Sequence, residues 1–373
     1  MKLKPWLMGV AFVAFSAVSA SAANIIYSSH TQDTHSDNTY VGKRFFDRIT
    51  EATGSEQTFQ IMGGGVLASG ANALSAVKTG AVDTAMLIYS YMPSDLPTMT
   101  LLGDLYGSDL RVSAAATTET MLLDCPQCQE EQERQNVFVL QNTATDNYSF
   151  ICGSSGVATL ADVKGKKIRG SGAMARLAAS LGATPVNATY AEIYEGLQRG
   201  ALDCSLLDAG NLEAGQFWDV AKFVTPAPLG TFNSIGFAAI NRDLWKSFTP
   251  KQRRAWLDSA AISVSDYTFN SADRVKRALV TAASEKGMTV LEPDEELLKA
   301  IGSFWDNEME SLVAAAEGRG VKDAKSIVDA YRKNYAKWEK IVAEISEGEW
   351  TEAEWQKFGE RIRDEVYAKV SVD

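Results

Sequence analysis

The stretch DVKGKKIRGSGAMARLAASLGATPVNATYAEIYEGLQRGALDCSLLD, residues 162–208, decides the fold. Apolar residues at helical spacing predict two helices in it, the first ended by Gly182 and the second by Gly200. Strand-like pieces lie before, between and after these helices, and such alternation is typical of parallel βαβ units. Arg169 lies in the first strand, at its carboxyl end, where parallel sheets meet their ligands.

An echo of this stretch occurs earlier in the chain. Val77–Leu87 reads VKTGAVDTAML, and Leu197–Leu207 reads LQRGALDCSLL. Both pass from a helix end through a glycine cap and a small–aliphatic–Asp turn into an apolar strand. We therefore interpret Asp83 and Asp203 as turn residues rather than as catalytic acids. The repeat predicts two related α/β lobes with a ligand cleft between them.

The remaining organisation follows from the ends of the chain and its crossings between lobes. Residues 1–22 combine a positive start, a short apolar run and a small-residue site, so we expect a signal peptide cleaved near Ala22 and a periplasmic product.

Thr249-Pro250 predicts the start of one unusually long helix, or of two joined with little break. Several strand crossings predict a hinge. The expected boundaries are residues 23–146 with 236–280 for lobe one, 147–235 with 281–330 for lobe two, and 331–373 for C-terminal helices packed on the lobes.

Charge and cysteines narrow the class of protein. A net charge of −11 argues against a nucleic-acid partner and against anchoring on anionic lipid. Four cysteines in an exported chain allow disulfides. Cys125 and Cys128 have the CxxC spacing of a redox pair, although a local disulfide or two thiols fit their acidic and amide surroundings better. Cys152 and Cys204 stand on predicted strands and can be bridged if those strands are neighbours.

The loop SHTQDTHSDN, residues 29–38, holds both histidines of the protein, His30 and His35. With its aspartates it allows a metal site by residue type, but a wall of the ligand cleft or a solvent-exposed loop fits the pattern better. No nucleophile elbow, zinc-binding helix motif or phosphate-binding lysine loop occurs. The sequence therefore favours binding over catalysis, with no enzyme activity and no cofactor expected.

The motifs at Asp162–Arg169, Leu181–Val186 and Glu192–Asp203 resemble the extracytoplasmic solute-binding proteins of TRAP (tripartite ATP-independent periplasmic) transporters. This resemblance implies two α/β lobes, a β-strand hinge, a long lobe-spanning helix and closure around a small organic carboxylate. It also implies delivery of that acid to membrane permease subunits, without direct membrane insertion after signal cleavage. Arg169 matches the arginine that pairs with the ligand carboxylate in the family. The alternatives are a binding protein of an ATP-driven importer and an exported thiol oxidoreductase.

Two departures from the family pattern concern specificity. Leu207-Asp208 stands where an Asn-Pro is frequent, and Tyr148 stands near a position that is cationic in sialic-acid binders. Both argue against sialic acid and for an acid with an aromatic, hydroxyl or amino group. Asp208 either meets a ligand ammonium or holds Arg169. The candidate ligand-binding residues are Arg169, Tyr148, Asp208, Leu207, Tyr89 (with its neighbour Tyr91), Asn233, Phe232 and His35.

Overall fold

A computed structural model describes residues 23–372, so the expected signal peptide lies outside the described residues. Its strands are β1 (Ala23–Ser28), β2 (Gln57–Met62), β3 (Thr84–Ile88), β4 (Val137–Thr143), β5 (Tyr148–Cys152), β6 (Lys167–Arg169), β7 (Thr184–Val186), β8 (Cys204–Asp208), β9 (Phe223–Pro226), β10 (Ile235–Asn241) and β11 (Thr289–Val290). Its α-helices are α1 (Lys43–Thr53), α2 (Ala73–Lys78), α3 (Pro97–Gly103), α4 (Leu110–Glu119), α5 (Pro126–Arg134), α6 (Leu160–Val163), α7 (Ala173–Ser180), α8 (Ile193–Gln198), α9 (Asn211–Ala214), α10 (Arg242–Ser247), α11 (Pro250–Ser284), α12 (Glu295–Gly318), α13 (Ala324–Ile345) and α14 (Glu352–Glu365).

The strands form two separate sheets. One has five strands in the order β2-β1-β3-β10-β4, and the other has six in the order β11-β9-β5-β8-β6-β7. In each sheet, βαβ units supply parallel neighbours, and a strand that arrives from the other sheet runs antiparallel to them. We call the five-stranded sheet with its helices lobe one and the six-stranded sheet with its helices lobe two. The predicted two-lobed α/β fold is confirmed.

The repeated motif has the same structural task in both lobes. The carboxylate of Asp83 accepts a hydrogen bond from the backbone N–H of Ile26 at 2.8 Å, and that of Asp203 accepts one from Lys167 at 2.7 Å. In each case the aspartate reaches the neighbouring parallel strand and satisfies an N–H there. The preceding Gly80 and Gly200 have φ values of 73° and 67°, which side chains with a Cβ rarely adopt.

The chain passes between the two sheets three times. It passes from β4 to β5, returns from β9 to β10, and finally runs along α11 to β11. Helix α11 is a single helix of 35 residues, about 52 Å long at the usual rise. It begins at the predicted place, where Thr249 and Gln252 form a reciprocal cap. Two strand connections and one helix therefore join the lobes at the back of the cleft.

The C-terminal helices pack mainly on lobe one and on the long helix. Helix α13 lies against α4, and α14 lies along α11. The indole N–H of the fully buried Trp338 donates to Glu119 at 2.6 Å, which anchors α13 to the lobe. Among residues 23–372, no helix combines the length and the apolar character that crossing a membrane requires.

All four cysteines are paired. Cys152 on β5 faces Cys204 on β8 in direct antiparallel register, and the two form a disulfide. Cys125 and Cys128 form the second disulfide at the start of α5. Both members of this CxxC pair are completely buried. Because thiol exchange requires an accessible sulfur, this position suits a structural bond and not a redox centre.

Candidate ligand-binding site

A cavity lies between the lobes. The carboxyl ends of β1 and β3 border it in lobe one, those of β6 and β8 border it in lobe two, and α11 contributes to its wall. The volume of the cavity is about 60 Å³. The lining residues from lobe one are His30, Thr31, His35, Asp37, Met86, Ile88, Tyr91 and Ile235. Those from lobe two are Tyr148, Arg169, Ser171, Tyr190, Leu207, Asp208 and Asn211. Helix α11 adds Tyr267 and Arg274, and the crossings add Thr145 and Phe232.

Arg169 is a buried cation that has no carboxylate partner in the described part of the chain. It is the last residue of β6 and is 2% exposed. Nε donates to the carbonyl of Ala188 at 2.9 Å, and Nη2 donates to the Tyr91 hydroxyl at 3.0 Å. Within residues 23–372, Nη1 makes no hydrogen bond, and the guanidinium forms no ion pair. A buried charge left unpaired costs several kcal/mol, so the site is built to receive an anion.

Tyr91 connects the two lobes at this arginine. Its hydroxyl oxygen accepts one hydrogen bond from Arg169 and a second, also 3.0 Å long, from the backbone N–H of Tyr190. A phenol oxygen has two lone pairs, and both are used here. The Tyr91 O–H proton therefore remains free to donate to an anion held by Arg169.

Arg274, by contrast, is already neutralised. From α11 its Nη1 lies 3.2 Å from a carboxylate oxygen of Asp37 in lobe one, and its Nη2 lies 3.6 Å from Asp208 in lobe two. Burial alone would lower the pKa of Arg274, but Asp208 and Asp37 raise it above its usual value. Burial raises the pKa of Asp208 to about 6, against the opposing effect of Arg274. This cation serves to join the lobes.

Both histidines are neutral in the folded protein at neutral pH. Burial lowers the pKa of His30 and of His35 to about 4 in each case, more than the nearby Asp37 raises it. His35 Nδ1 lies 3.5 Å from an Asp37 carboxylate oxygen, a distance that suggests an ion pair. The backbone N–H of Asp37 donates to the same Nδ1 at 3.1 Å, however, so this nitrogen carries no proton. The contact is therefore not an ion pair.

A second set of contacts closes the lobes outside the cavity. Asp104, which follows α3, accepts a hydrogen bond from the backbone N–H of Ala173 at 3.0 Å, at the start of α7 in lobe two. Arg176 on α7 forms an ion pair with Asp104 at 2.9 Å and another with Glu308 on α12. We call Asp104, Arg176 and Glu308 the latch; none of the three lines the cavity.

The structure brings most of the predicted site residues together. Arg169, Tyr148, Asp208, Leu207, Phe232 and His35 all line the cavity. Tyr89 does not: it is buried in lobe one over the backbone of Gly236, and the 3₁₀ turn Tyr89–Tyr91 presents Tyr91 to the cavity instead. Asn233 does not either, because its amide donates to the carbonyl of Leu105 at 2.8 Å.

Of the two roles expected for Asp208, that of a partner for Arg169 is wrong. The Asp208 carboxylate contacts Arg274 and accepts a hydrogen bond from Asn211 at 2.6 Å. The sequence reasoning missed Arg274, Tyr190 and Tyr267. The available signal was the helical spacing of Tyr267, Ser271 and Arg274, which places them on one polar face of α11. The structure buries all three.

The structure also bears on the alternative of a metal at the histidine loop. Within residues 23–372, no group of three or more His, Cys, Asp or Glu side chains has an arrangement that holds a metal ion. Asp33, one of the two aspartates of the loop, instead accepts a hydrogen bond from the backbone N–H of Gly63 at 2.6 Å. His30 and His35 contribute to the cavity wall.

Comparisons with known proteins agree with this geometry. Residues 27–317 match the family described as bacterial extracellular solute-binding protein, family 7. The 2,3-diketo-L-gulonate-binding periplasmic protein YiaO of Escherichia coli K12 is 24% identical over 280 residues, 74% of this chain and 84% of that protein. A solute-binding protein of Albidiferax ferrireducens is 22% identical over 265 residues, 69% of this chain and 75% of that protein.

Among solved structures, a TRAP periplasmic solute-binding protein from Bordetella bronchiseptica with bound mandelate is similar with a TM-score of 0.73. It is 21% identical, and the match covers 85% of this chain and 99% of that one. DctP7 of Bordetella pertussis, which binds pyroglutamic acid, has a TM-score of 0.71 and 19% identity over 83% of this chain and all (100%) of that one. At these identities the structural likeness establishes the fold.

Proposed function

The chain belongs to family 7 of the bacterial extracellular solute-binding proteins, and from this premise we propose that it captures a small organic carboxylate between its lobes and delivers it to the permease of a TRAP transporter. Capture is a binding function and needs no catalytic group. The expected export, with cleavage near Ala22, places this task in the periplasm. N-terminal sequencing of the exported protein tests the cleavage site.

The observation that carries the proposal is that Arg169 has no carboxylate partner among residues 23–372. Nε of Arg169 donates to a backbone carbonyl of lobe two, and one N–H of Nη2 donates to Tyr91. These two hydrogen bonds fix the plane of the guanidinium. The N–H groups left on Nη1 and Nη2 form a planar fork of the kind that matches both oxygens of a carboxylate. Tyr91 adds an O–H donor from the opposite lobe. An anion bound here contacts both lobes at once, which gives a physical reason for closure around it.

Calorimetry with Arg169→Gln tests the proposal after a thermal-shift screen of organic acids has identified a ligand. A ligand at 100 times its Kd adds about 2.7 kcal/mol of stability, which such a screen detects. We expect Arg169→Gln to weaken binding at least about tenfold, equal to about 1.4 kcal/mol. Arg199→Gln is the matched control, because Arg199 is exposed and pairs with Glu195 on the surface. Unchanged affinity in Arg169→Gln would remove the carboxylate anchor and the proposal with it.

A further inference from the structure

The cavity can neutralise one ligand carboxylate and not two. Of its two arginines, Arg274 is balanced by Asp37 and Asp208, and Arg169 alone lacks an acidic partner among residues 23–372. The two histidines add no positive charge at neutral pH. A second ligand carboxylate would therefore be buried without a cation, at a cost that a small ligand cannot recover.

The hydrogen bond of the His35 ring fixes where its proton sits. Nδ1 accepts from the backbone N–H of Asp37 at 3.1 Å, and a neutral imidazole carries one proton. That proton is therefore on Nε2, at the far end of the ring. Nε2 donates to no residue in the described part of the chain, although His35 is only 3% exposed and lines the cavity. His35 thus offers an uncharged N–H donor to whatever occupies the cavity.

The walls beside these donors are apolar or aromatic. Met86, Ile88 and Ile235 supply aliphatic surface from lobe one, and Leu207 supplies it from lobe two. Phe232 stacks on Tyr148 with ring centres 5.5 Å apart. A compact apolar body fits these walls, while the polar atoms of the ligand meet Arg169, Tyr91 and His35.

We propose that the ligand is a small monocarboxylate with a second, uncharged oxygen acceptor, a carbonyl or hydroxyl oxygen, that receives the Nε2 proton of His35. This inference rests on the proposed function, because the carboxylate must first be held by Arg169. It adds the chemical class of the acid, and it assigns to His35 the recognition of the second oxygen of the ligand.

Two ladders of acids test the inference by calorimetry at pH 7.5. One consists of phenylacetate, mandelate, phenylglyoxylate and phenylmalonate, and the other of 3-methylbutyrate, its 2-hydroxy and 2-oxo derivatives, and isopropylmalonate. In each ladder the body stays constant while a hydroxyl, a carbonyl or a second carboxylate is added on the same carbon. We expect the hydroxy or oxo acid to bind at least tenfold more tightly than its parent, and the dicarboxylate at least tenfold more weakly.

Two substitutions of His35 separate its two hydrogen bonds. His35→Asn keeps an acceptor where Nδ1 meets the Asp37 N–H but is too short to replace Nε2, so the preference for a second oxygen should fall to within about twofold. His35→Gln places an amide N–H near the position of Nε2 and should restore part of the preference. Thermal unfolding of both variants without ligand checks that each is folded.

The possible outcomes distinguish the inference from the function beneath it. A wild-type protein that binds the parent acids and their oxygenated derivatives equally, or that prefers a dicarboxylate, overturns the inference and leaves the proposed function standing. So does a preference that survives intact in folded His35→Asn. A protein that binds no acid of either ladder and none in the thermal-shift screen contradicts the proposed function itself. The wild-type ladders separate these outcomes even if a variant does not fold.

Discussion

The hydroxyl of Tyr91 lies 3.0 Å from Nη2 of Arg169, and the two residues belong to different lobes. The same oxygen accepts from the backbone N–H of Tyr190, so one phenol of lobe one holds two donors of lobe two. The buried guanidinium is thereby oriented from across the cleft. The contact requires the two lobes to lie close together, as they do in this structure.

Tyr91→Phe should therefore weaken binding of the ligand by about tenfold or more. The substitution removes a hydrogen bond to a charged group, which contributes about 1.5–3 kcal/mol, and leaves the Tyr190 N–H without its acceptor. Calorimetry measures the effect. Tyr194→Phe is the control, because Tyr194 lies on α8 outside the cavity lining. Equal losses in both variants would mean that the Tyr91 hydroxyl has no special role.

Arg176→Gln should lower affinity for every ligand by a similar factor, about three- to tenfold. The ion pair to Asp104 stabilises the closed state, but Arg176 is 39% exposed, so solvent screens its contribution. Since Arg176 does not line the cavity, the ranking of different acids should not change. Calorimetry on three acids checks both statements, and a changed ranking would contradict this separation of roles.

The stability of the ligand-free protein should rise as the pH increases from about 4 to 6.5. Burial lowers the pKa of His30 and of His35 to about 4, from 6.5. Between these values the unfolded chain binds protons that the folded chain does not, so this contribution is lost as the pH falls. Each histidine can contribute up to about 3 kcal/mol. Urea unfolding at pH 4.5, 5.5 and 7 measures the slope, and His30→Gln should remove about half of it.

Asp208 should lower the stability of the ligand-free protein as the pH rises over part of this range, opposite to the effect of the histidines. Because burial raises its pKa from 3.8 to about 6, the folded chain holds a proton that the unfolded chain has released. Its contribution to stability is thus present below about pH 4 and is lost as the pH rises through 6. Asp208→Asn should consequently steepen the rise of stability with pH. A shallower slope in the same urea titration would show that Asp208 is ionised throughout.

The two disulfides should differ in their effect on stability. The Cys152–Cys204 bond closes a loop with a sequence separation of 52, whereas Cys125–Cys128 spans 3. On loop-closure entropy alone, replacing each pair by alanine should cost about 4 and about 2 kcal/mol. Urea unfolding of the two double variants compares them. A larger cost for Cys125–Cys128 would show that local packing, not loop length, decides.

The sequence was sufficient for features that depend on local pattern. Gly182 and Gly200 ended the helices where expected, and the Thr249 cap marked the start of the long helix. The position of Arg169 at the cavity was also predicted in this way, because the end of a parallel strand is a recurrent ligand position. The bond between Cys152 and Cys204 needed one further fact, that β5 and β8 are neighbours.

The sequence was insufficient where distant segments meet. Arg274 owes its role to Asp37 and Asp208, which lie far from it in the chain, and no local pattern links the three. The choice between Tyr89 and Tyr91 likewise depended on a single 3₁₀ turn that rotates neighbouring side chains in different directions. Both outcomes follow from tertiary packing, which local propensity does not encode.

The position of the latch outside the cavity has a consequence for how such a protein can change. Asp104, Arg176 and Glu308 hold the lobes without lining the cavity, so we expect substitutions there to alter the ligand concentration at which the protein fills and not which acid it accepts. A lineage that meets lower or higher concentrations of the acid can therefore adjust the affinity of the protein without changing its ligand preference. The same property makes these three positions suitable for tuning a biosensor built on this chain.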